Sequence, residues 1–254
     1  MAGWGILEGM KLSVQLYTVR DAMSEDPIGT LKRLKEIGLN YVEGGPTIGA
    51  DTAAESKKIL EDLGLQVSGA HIALNSLENS LDEAIENVKA LGCDYVILPW
   101  IDKDVYADGW EKFALRLNPI GKKVKDAGLS FCYHNHAFEF ENDGFNTLYA
   151  NADPEYVKAQ LDIAWCQIGG SDPAEMIRTL KGRLPLVHLK DFDPARTPEW
   201  TPAGQGKVDW LACLGAIAEG NVEFGAIELD LSPGDPLEAV EESVNFFRAK
   251  GISE

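Results

Sequence analysis

One phrase, repeated four times, restricts the fold more than any other feature of the chain. Gly38-Leu-Asn-Tyr-Val-Glu, Gly64-Leu-Gln-Val-Ser-Gly, Gly92-Cys-Asp-Tyr-Val-Ile and Gly128-Leu-Ser-Phe-Cys-Tyr each set a glycine between an amphipathic segment and a short β-type run. Glycine just past a helix end accepts positive φ at no steric cost. The runs themselves are short and rich in aromatic and β-branched residues, which favours strand over buried helix. Successive glycines lie 26, 28 and 36 residues apart, the length of a strand–helix–strand unit.

Extended along the chain, the pattern predicts strands at 11–16, 41–44, 66–71, 95–99, 129–134, 157–163, 186–189 and 224–229. Helices are expected between and after them, at 27–37, 51–63, 77–91, 110–127, 144–150, 173–181, 208–219 and 236–249. Asp172-Pro173 gives one of these an N-cap followed by proline at the first helical position. Eight alternating units with no linker-like shift in composition point to a single (β/α)8 TIM barrel in the α/β class, over 11–254. Residues 1–10 read as an N-terminal extension. A doubly wound open sheet is the alternative fold, and the missing GxGxxG after the first strand counts against a dinucleotide-binding version of it.

Composition removes several function classes. A formal charge of −18 opposes a nucleic-acid or anionic-membrane surface, which needs clustered Lys and Arg. No apolar run reaches the roughly 20 residues of a membrane span. The four cysteines, Cys93, Cys132, Cys166 and Cys213, are widely spaced without a CxxC pair. They suit small buried thiols in a reducing, cytoplasmic setting. A homo-oligomer stays open.

The chemistry gathers where such barrels place it, at the C-terminal ends of the strands. His71 ends the third expected strand, His134 and His136 end the fifth, and His188 lies in the seventh. Asp162 and Glu228 sit inside apolar text, Gln160-Leu-Asp162-Ile and Ala226-Ile-Glu228-Leu. A carboxylate buried there is costly unless a cation or strong donors meet it. Asp162, His188 and Glu228 therefore read as ligands of a divalent cation, with Mn²⁺, Mg²⁺, Co²⁺ and Zn²⁺ all suited to mixed carboxylate and imidazole donors. The competing explanation is a set of structural salt bridges.

Other residues carry softer expectations. Lys190 follows His188 at period two and reaches either a substrate oxygen or Asp191. Gln15 and Tyr17 line the mouth, Trp165 stacks on a sugar face or packs, and Arg20 and Glu43 belong to the rim or to the shell around the substrate. The stretch Gly204-Gln-Gly206-Lys-Val-Asp-Trp210 is a turn into a helix whose N-terminus could receive an anion.

The segments SVQLYTVRD (13–21), YHNHAFEF (133–140), QLDIAW (160–165), VHLKD (187–191) and AIELD (226–230) resemble the xylose-isomerase-like TIM barrels, the sugar phosphate isomerase/epimerase family. The resemblance implies a cation held by Glu, Asp, His and Glu from strands 5, 6, 7 and 8. Asp162, His188 and Glu228 match the last three, and the strand-5 place falls to Glu139, with His134 or His136 able to replace it. It further implies a metal-dependent isomerase or epimerase acting on a carbohydrate through an enediolate. Glu139 and Glu228 would move the proton, and His71, His134, His136, Lys190, Trp165 and Gln15 would contact substrate. A dehydratase or lyase on a keto-sugar or inosose is the rival reading; an abasic-site endonuclease and a non-catalytic sugar-binding barrel stand behind it.

Overall fold

All four glycines of the repeated phrase take positive φ, from 68° at Gly64 to 99° at Gly38, so each stops a helix and turns the chain into a strand. The computed structural model describes residues 9–232 and 234–252; most of the expected N-terminal extension lies outside them. The strands are β1 (Lys11–Gln15), β2 (Tyr41–Gly44), β3 (Gln66–His71), β4 (Tyr95–Leu98), β5 (Ser130–His134), β6 (Val157–Asp162), β7 (Leu186–Leu189) and β8 (Phe224–Ile227). They pair in parallel in the order β1-β8-β7-β6-β5-β4-β3-β2 and close on themselves. The barrel is the fold that the repeats predict, and the open sheet is excluded.

Outside the strands lie α1 (Pro27–Ile37), α2 (Ala53–Asp62), α3 (Leu81–Leu91), α4 (Trp110–Asp126), α5 (Gly144–Asn151), α6 (Pro173–Thr179), α7 (Trp210–Ala218) and α8 (Pro236–Ala249). Several begin on an aspartate cap: Asp26, Asp172, Asp209 and Asp235 each accept a backbone N–H of the first turn. The helix expected at 77–91 is two helices, Leu74–Asn79 and Leu81–Leu91, parted at the non-helical Ser80. No helix among the described residues is long and apolar enough to cross a membrane.

Strand alternation divides the apolar residues between two places. Val14, Val42, Val96, Phe131, Tyr133, Leu161 and Val187 face the helices in the main core. A smaller cluster, Ile97, Cys132, Leu186 and Phe224 with Tyr41 and Tyr95 against it, draws on opposite strands and so fills the lumen. Its rings touch edge to face across the barrel, Tyr41–Phe224 at 4.9 Å and Tyr95–Phe224 at 6.4 Å. The Tyr95 hydroxyl donates to Glu223 at 2.7 Å. This aromatic layer closes the N-terminal end.

The long loop after β7 is organised around a buried carboxylate. Asp191 accepts from the backbone N–H groups of Phe192, Gly204, Gly206 and Val208 and from Trp210 Nε1, at 2.9–3.1 Å. A short ribbon pairs Asp191–Phe192 with Trp200–Thr201. Gly206 is obligatory, because a Cβ there would stand 2.1 Å from Asp191 Oδ1. The amides that sequence offered to an external anion thus enclose one of the protein's own. Asp191 is accordingly no partner of Lys190.

Candidate metal centre

Register brings the ligand-type residues to one level. In the pairing of β6, β7 and β8, Asp162 lies beside His188, and His188 beside Ala226, two residues before Glu228. Alternation points Cys132 and then His134 into the lumen from β5. His134, Asp162, His188 and Glu228 consequently present ligand atoms that all lie within 4.8 Å of one another, each residue buried. The four histidines of the chain gather at this end of the barrel, with ring centroids 6.1 Å apart for His71–His188, 4.4 Å for His134–His188 and 4.9 Å for His134–His136.

Glu139 does not join that group. Its carboxylate accepts from the Tyr133 hydroxyl at 2.6 Å and from the His136 backbone N–H at 2.9 Å. Tyr133 alternates outward, where it packs against Phe113 of α4, so Glu139 is turned behind the barrel wall. The fourth member of the cluster in the structure is His134, one of the two residues expected as able to replace Glu139. Burial pushes the Glu139 carboxyl up to about 7, although both hydrogen bonds pull the other way.

This has a measurable consequence. In the unfolded chain Glu139 ionises near its ordinary 4.5, and in the fold only near 7. Between those values the folded protein holds the extra proton, so its stability falls as pH rises through that window and levels off above it. The contribution is on the order of 3 kcal/mol. Urea unfolding of metal-free wild type and Glu139→Gln at pH 5 and pH 8 should show the wild type losing that much relative to the variant. Equal pH dependence in the two proteins would assign the carboxylate elsewhere.

Electrostatics in the cluster are sharply divided. Burial pulls His188 down, but Glu43 and Glu228 outweigh it and carry it up to about 10. Burial raises Asp162 to about 6 against the pull of Lys190 and His188. Glu228 is held well below the usual carboxylate range, since Lys190 and His188 overcome its burial. His134 is driven well below an ordinary imidazole, first by burial and then by the other histidines, and His136 falls to about 3 through burial and the nearby Lys190. The donors also fit a divalent cation on local grounds. Asp162 Oδ2 and His134 Nδ1 are both buried without a hydrogen-bond partner, and two carboxylates with two imidazoles are a donor set that suits Zn²⁺, Co²⁺ or Mn²⁺.

Lys190 is buried among the carboxylates of the site and does not line the cavity above it. It is 1% exposed and pairs with Asp230 at 2.8 Å, Glu228 at 2.9 Å and Asp162 at 3.4 Å. The indoles of Trp200 and Trp165 cover it at 4.8 and 5.4 Å. Glu43, expected at the rim, is also interior, at 1% exposure.

Above the cluster opens a cavity of about 710 Å³ whose wall includes Gln15, His71, His134, His136, Trp165 and Glu228. Apart from Glu228, expected as a ligand and proton carrier, these are the residues expected from sequence to contact substrate, all but Lys190. Trp100 and Asp230, not singled out before, line it as well. The Trp100 ring stands edge-on to His136 at 4.6 Å. Asp230 follows Glu228 at period two, a signal present in AIELD.

Comparison with known proteins agrees with the fold. A family model described as xylose isomerase-like TIM barrel matches residues 31–250. Among curated proteins, an inosose dehydratase of Clostridium botulinum is 26% identical over 150 residues, covering 51% of this chain and 50% of the relative. The match thus spans about half the length of that curated relative. A sugar phosphate isomerase/epimerase from Parabacteroides distasonis superposes with a TM-score of 0.83 at 22% identity, covering 97% of this chain and 96% of that one. An IOLI protein with a bound zinc atom superposes with a TM-score of 0.75 at 16% identity, over 95% of this chain and 98% of that one. At such identities the structural likeness speaks to the fold.

Proposed function

The chain belongs to the xylose isomerase-like TIM barrel family, and on that premise we propose that it is a divalent-metal-dependent enzyme that removes a proton beside the carbonyl of a carbohydrate or cyclic polyol and then expels the oxygen substituent on the β-carbon, as water from an inosose or as the alcohol from a keto-glycoside. The observation that carries this reading is the unlike chemistry of the two sides of the cavity. Carboxylates, Glu228 and Asp230, reach it from the β8 side, whereas imidazoles reach it from elsewhere, His71 at the end of β3 and His134 and His136 at the end of β5. Among the described residues that line the cavity, no second carboxylate stands across from Glu228 and Asp230 to return a proton, and Glu139 is behind the wall. The inosose dehydratase relative names a reaction of the proposed kind.

A cation held by His134, Asp162, His188 and Glu228 would stabilise negative charge on the substrate carbonyl oxygen as a Lewis acid. Glu228, ionised and partly open to the cavity, takes the proton from the adjacent carbon. Trp165 and Trp100 offer apolar faces to a ring. His71, whose Nε2 is 2.9 Å from Glu43, lines the cavity and hands a proton to the departing oxygen. Lys190 keeps Glu228 and Asp162 ionised and oriented.

Epimerisation is the second reading. It is favoured by His136, whose neutral ring can accept or return a proton opposite Glu228. One experiment separates the two: incubation with an inosose and with a 3-keto-glucoside in D₂O with Mn²⁺, followed by NMR and ultraviolet absorption. Deuterium uptake beside the carbonyl with growth of an enone is the expected result. Uptake with a stereoisomer and no enone selects epimerisation. Glu228→Gln should slow exchange by about 10²–10⁴-fold, and absence of exchange in the wild type with every substrate and metal tried would overturn both readings.

A further inference from the structure

We propose that Glu43 is a positioning residue that holds His188 in one tautomer, Nε2–H toward the floor of the lumen and Nδ1 toward Asp162 and Glu228, and so sets the affinity of the centre for its cation. The inference rests on the reading of the four-residue cluster as a metal site. Its geometry is direct. Glu43 Oε1 is 2.6 Å from His188 Nε2, while His188 Nδ1 is 2.8 Å from Glu228 Oε2 and 4.0 Å from Asp162 Oδ2. With a cation bound the imidazole is neutral and carries one N–H; a carboxylate acceptor at Nε2 keeps that N–H there and leaves the Nδ1 lone pair facing the other ligands.

The carboxylate is itself fixed from several directions. Gln160 Nε2 donates to Oε2 at 2.6 Å, and Gln15 Nε2 and His71 Nε2 approach Oε1 at 3.0 and 2.9 Å. Space for it is made by an irregularity of register between Val42 and Glu43 and by Gly69 opposite. A Cβ on Gly69 would come to 3.0 Å from Glu43 Oε2 and 2.4 Å from Ile97. Glu43 Oε1 thus ties the cavity-lining His71 to the ligand His188.

Glu43, His71 and His188 also lie close enough to form a cation site of their own. Two features oppose that alternative. The amide nitrogens of Gln15 and Gln160 point at the carboxylate and would face a cation there. Sharing His188 between two ions would also require both of its nitrogens to lose their protons.

Cobalt titration of the full chain, followed by the visible Co²⁺ spectrum and by ion count after dialysis, tests the proposal without reference to turnover. Wild type should take up one ion per chain, and Glu43→Gln should bind it about 10–100-fold more weakly. In Zn²⁺-loaded, [¹⁵N]histidine-labelled wild type, NMR should find His188 protonated at Nε2, with that proton shifted strongly downfield by the carboxylate. This measurement decides the matter even if the variant does not fold. Protonation at Nδ1, two ions per chain, or a folded Glu43→Gln protein whose affinity changes less than about threefold would each overturn the inference. Failure of the wild type to bind any ion would instead overturn the metal-centred reading on which it rests.

Discussion

Asp162→Ala should lose its cation while keeping its fold. The two consequences of the substitution differ greatly in size. For the fold, the lost side chain is an N-cap: Asp162 Oδ1 accepts the Trp165 N–H at 2.8 Å at the start of the short helix Ile163–Ile168. Removing such a cap costs about 1 kcal/mol. Part of that is returned, because burial of the carboxylate is unfavourable enough to raise it to about 6. Lys190 keeps Glu228 and Asp230 as partners, so no buried charge is stranded. For the cation, one of two carboxylates in a four-donor set disappears, and the charge available to neutralise a divalent ion is halved. Metal retained after dialysis against Mn²⁺ should fall to background, with cooperative unfolding and far-UV circular dichroism intact. Metal content equal to wild type would show that these four residues are not the site.

The largest effect on stability is expected far from any ligand, at Asp191. Asp191→Ala withdraws the acceptor from four backbone N–H groups and one indole N–H at once. An unsatisfied buried donor costs about 1–3 kcal/mol, and only part of the set can recover a partner from water or from the ribbon. A loss of about 3–5 kcal/mol in urea unfolding is expected, corresponding to a melting temperature lower by roughly 10 °C for a domain of this size. The loop that carries Trp200, and through it one wall around Lys190, should become susceptible to proteolysis. A change below about 1 kcal/mol would mean that the loop is held by its apolar contacts.

The barrel was legible because its punctuation is chemical. A glycine is needed wherever a helix ends in the left-handed region, and the four repeated glycines all adopt it. Asp162, His188 and Glu228 were legible for a related reason, since ionisable groups inside strand text must be met by something. The same reasoning applies to Glu43 in Tyr41-Val-Glu43-Gly, but what makes room for it is a register irregularity and Gly69, neither of which has a one-residue signature. Glu139 shows the opposite limitation. Being the first carboxylate after β5 says nothing about direction, and direction is fixed by the outward hydroxyl of Tyr133, six residues away. Alternation alone would have placed His134 inside, in line with Cys132. Lys190 was found, but its depth was not, because period two ends where β7 does, at Leu189.

The aromatic layer under the polar floor has a bearing on traffic. With Tyr41, Tyr95 and Phe224 stoppering one end, the barrel is a blind vessel with a single doorway. In the proposed reaction, substrate, product and the expelled leaving group would all use it in turn, and a departing molecule would retrace the route by which the next arrives. Product lingering at the doorway therefore occupies the place of incoming substrate, and the two compete for one and the same form of the protein.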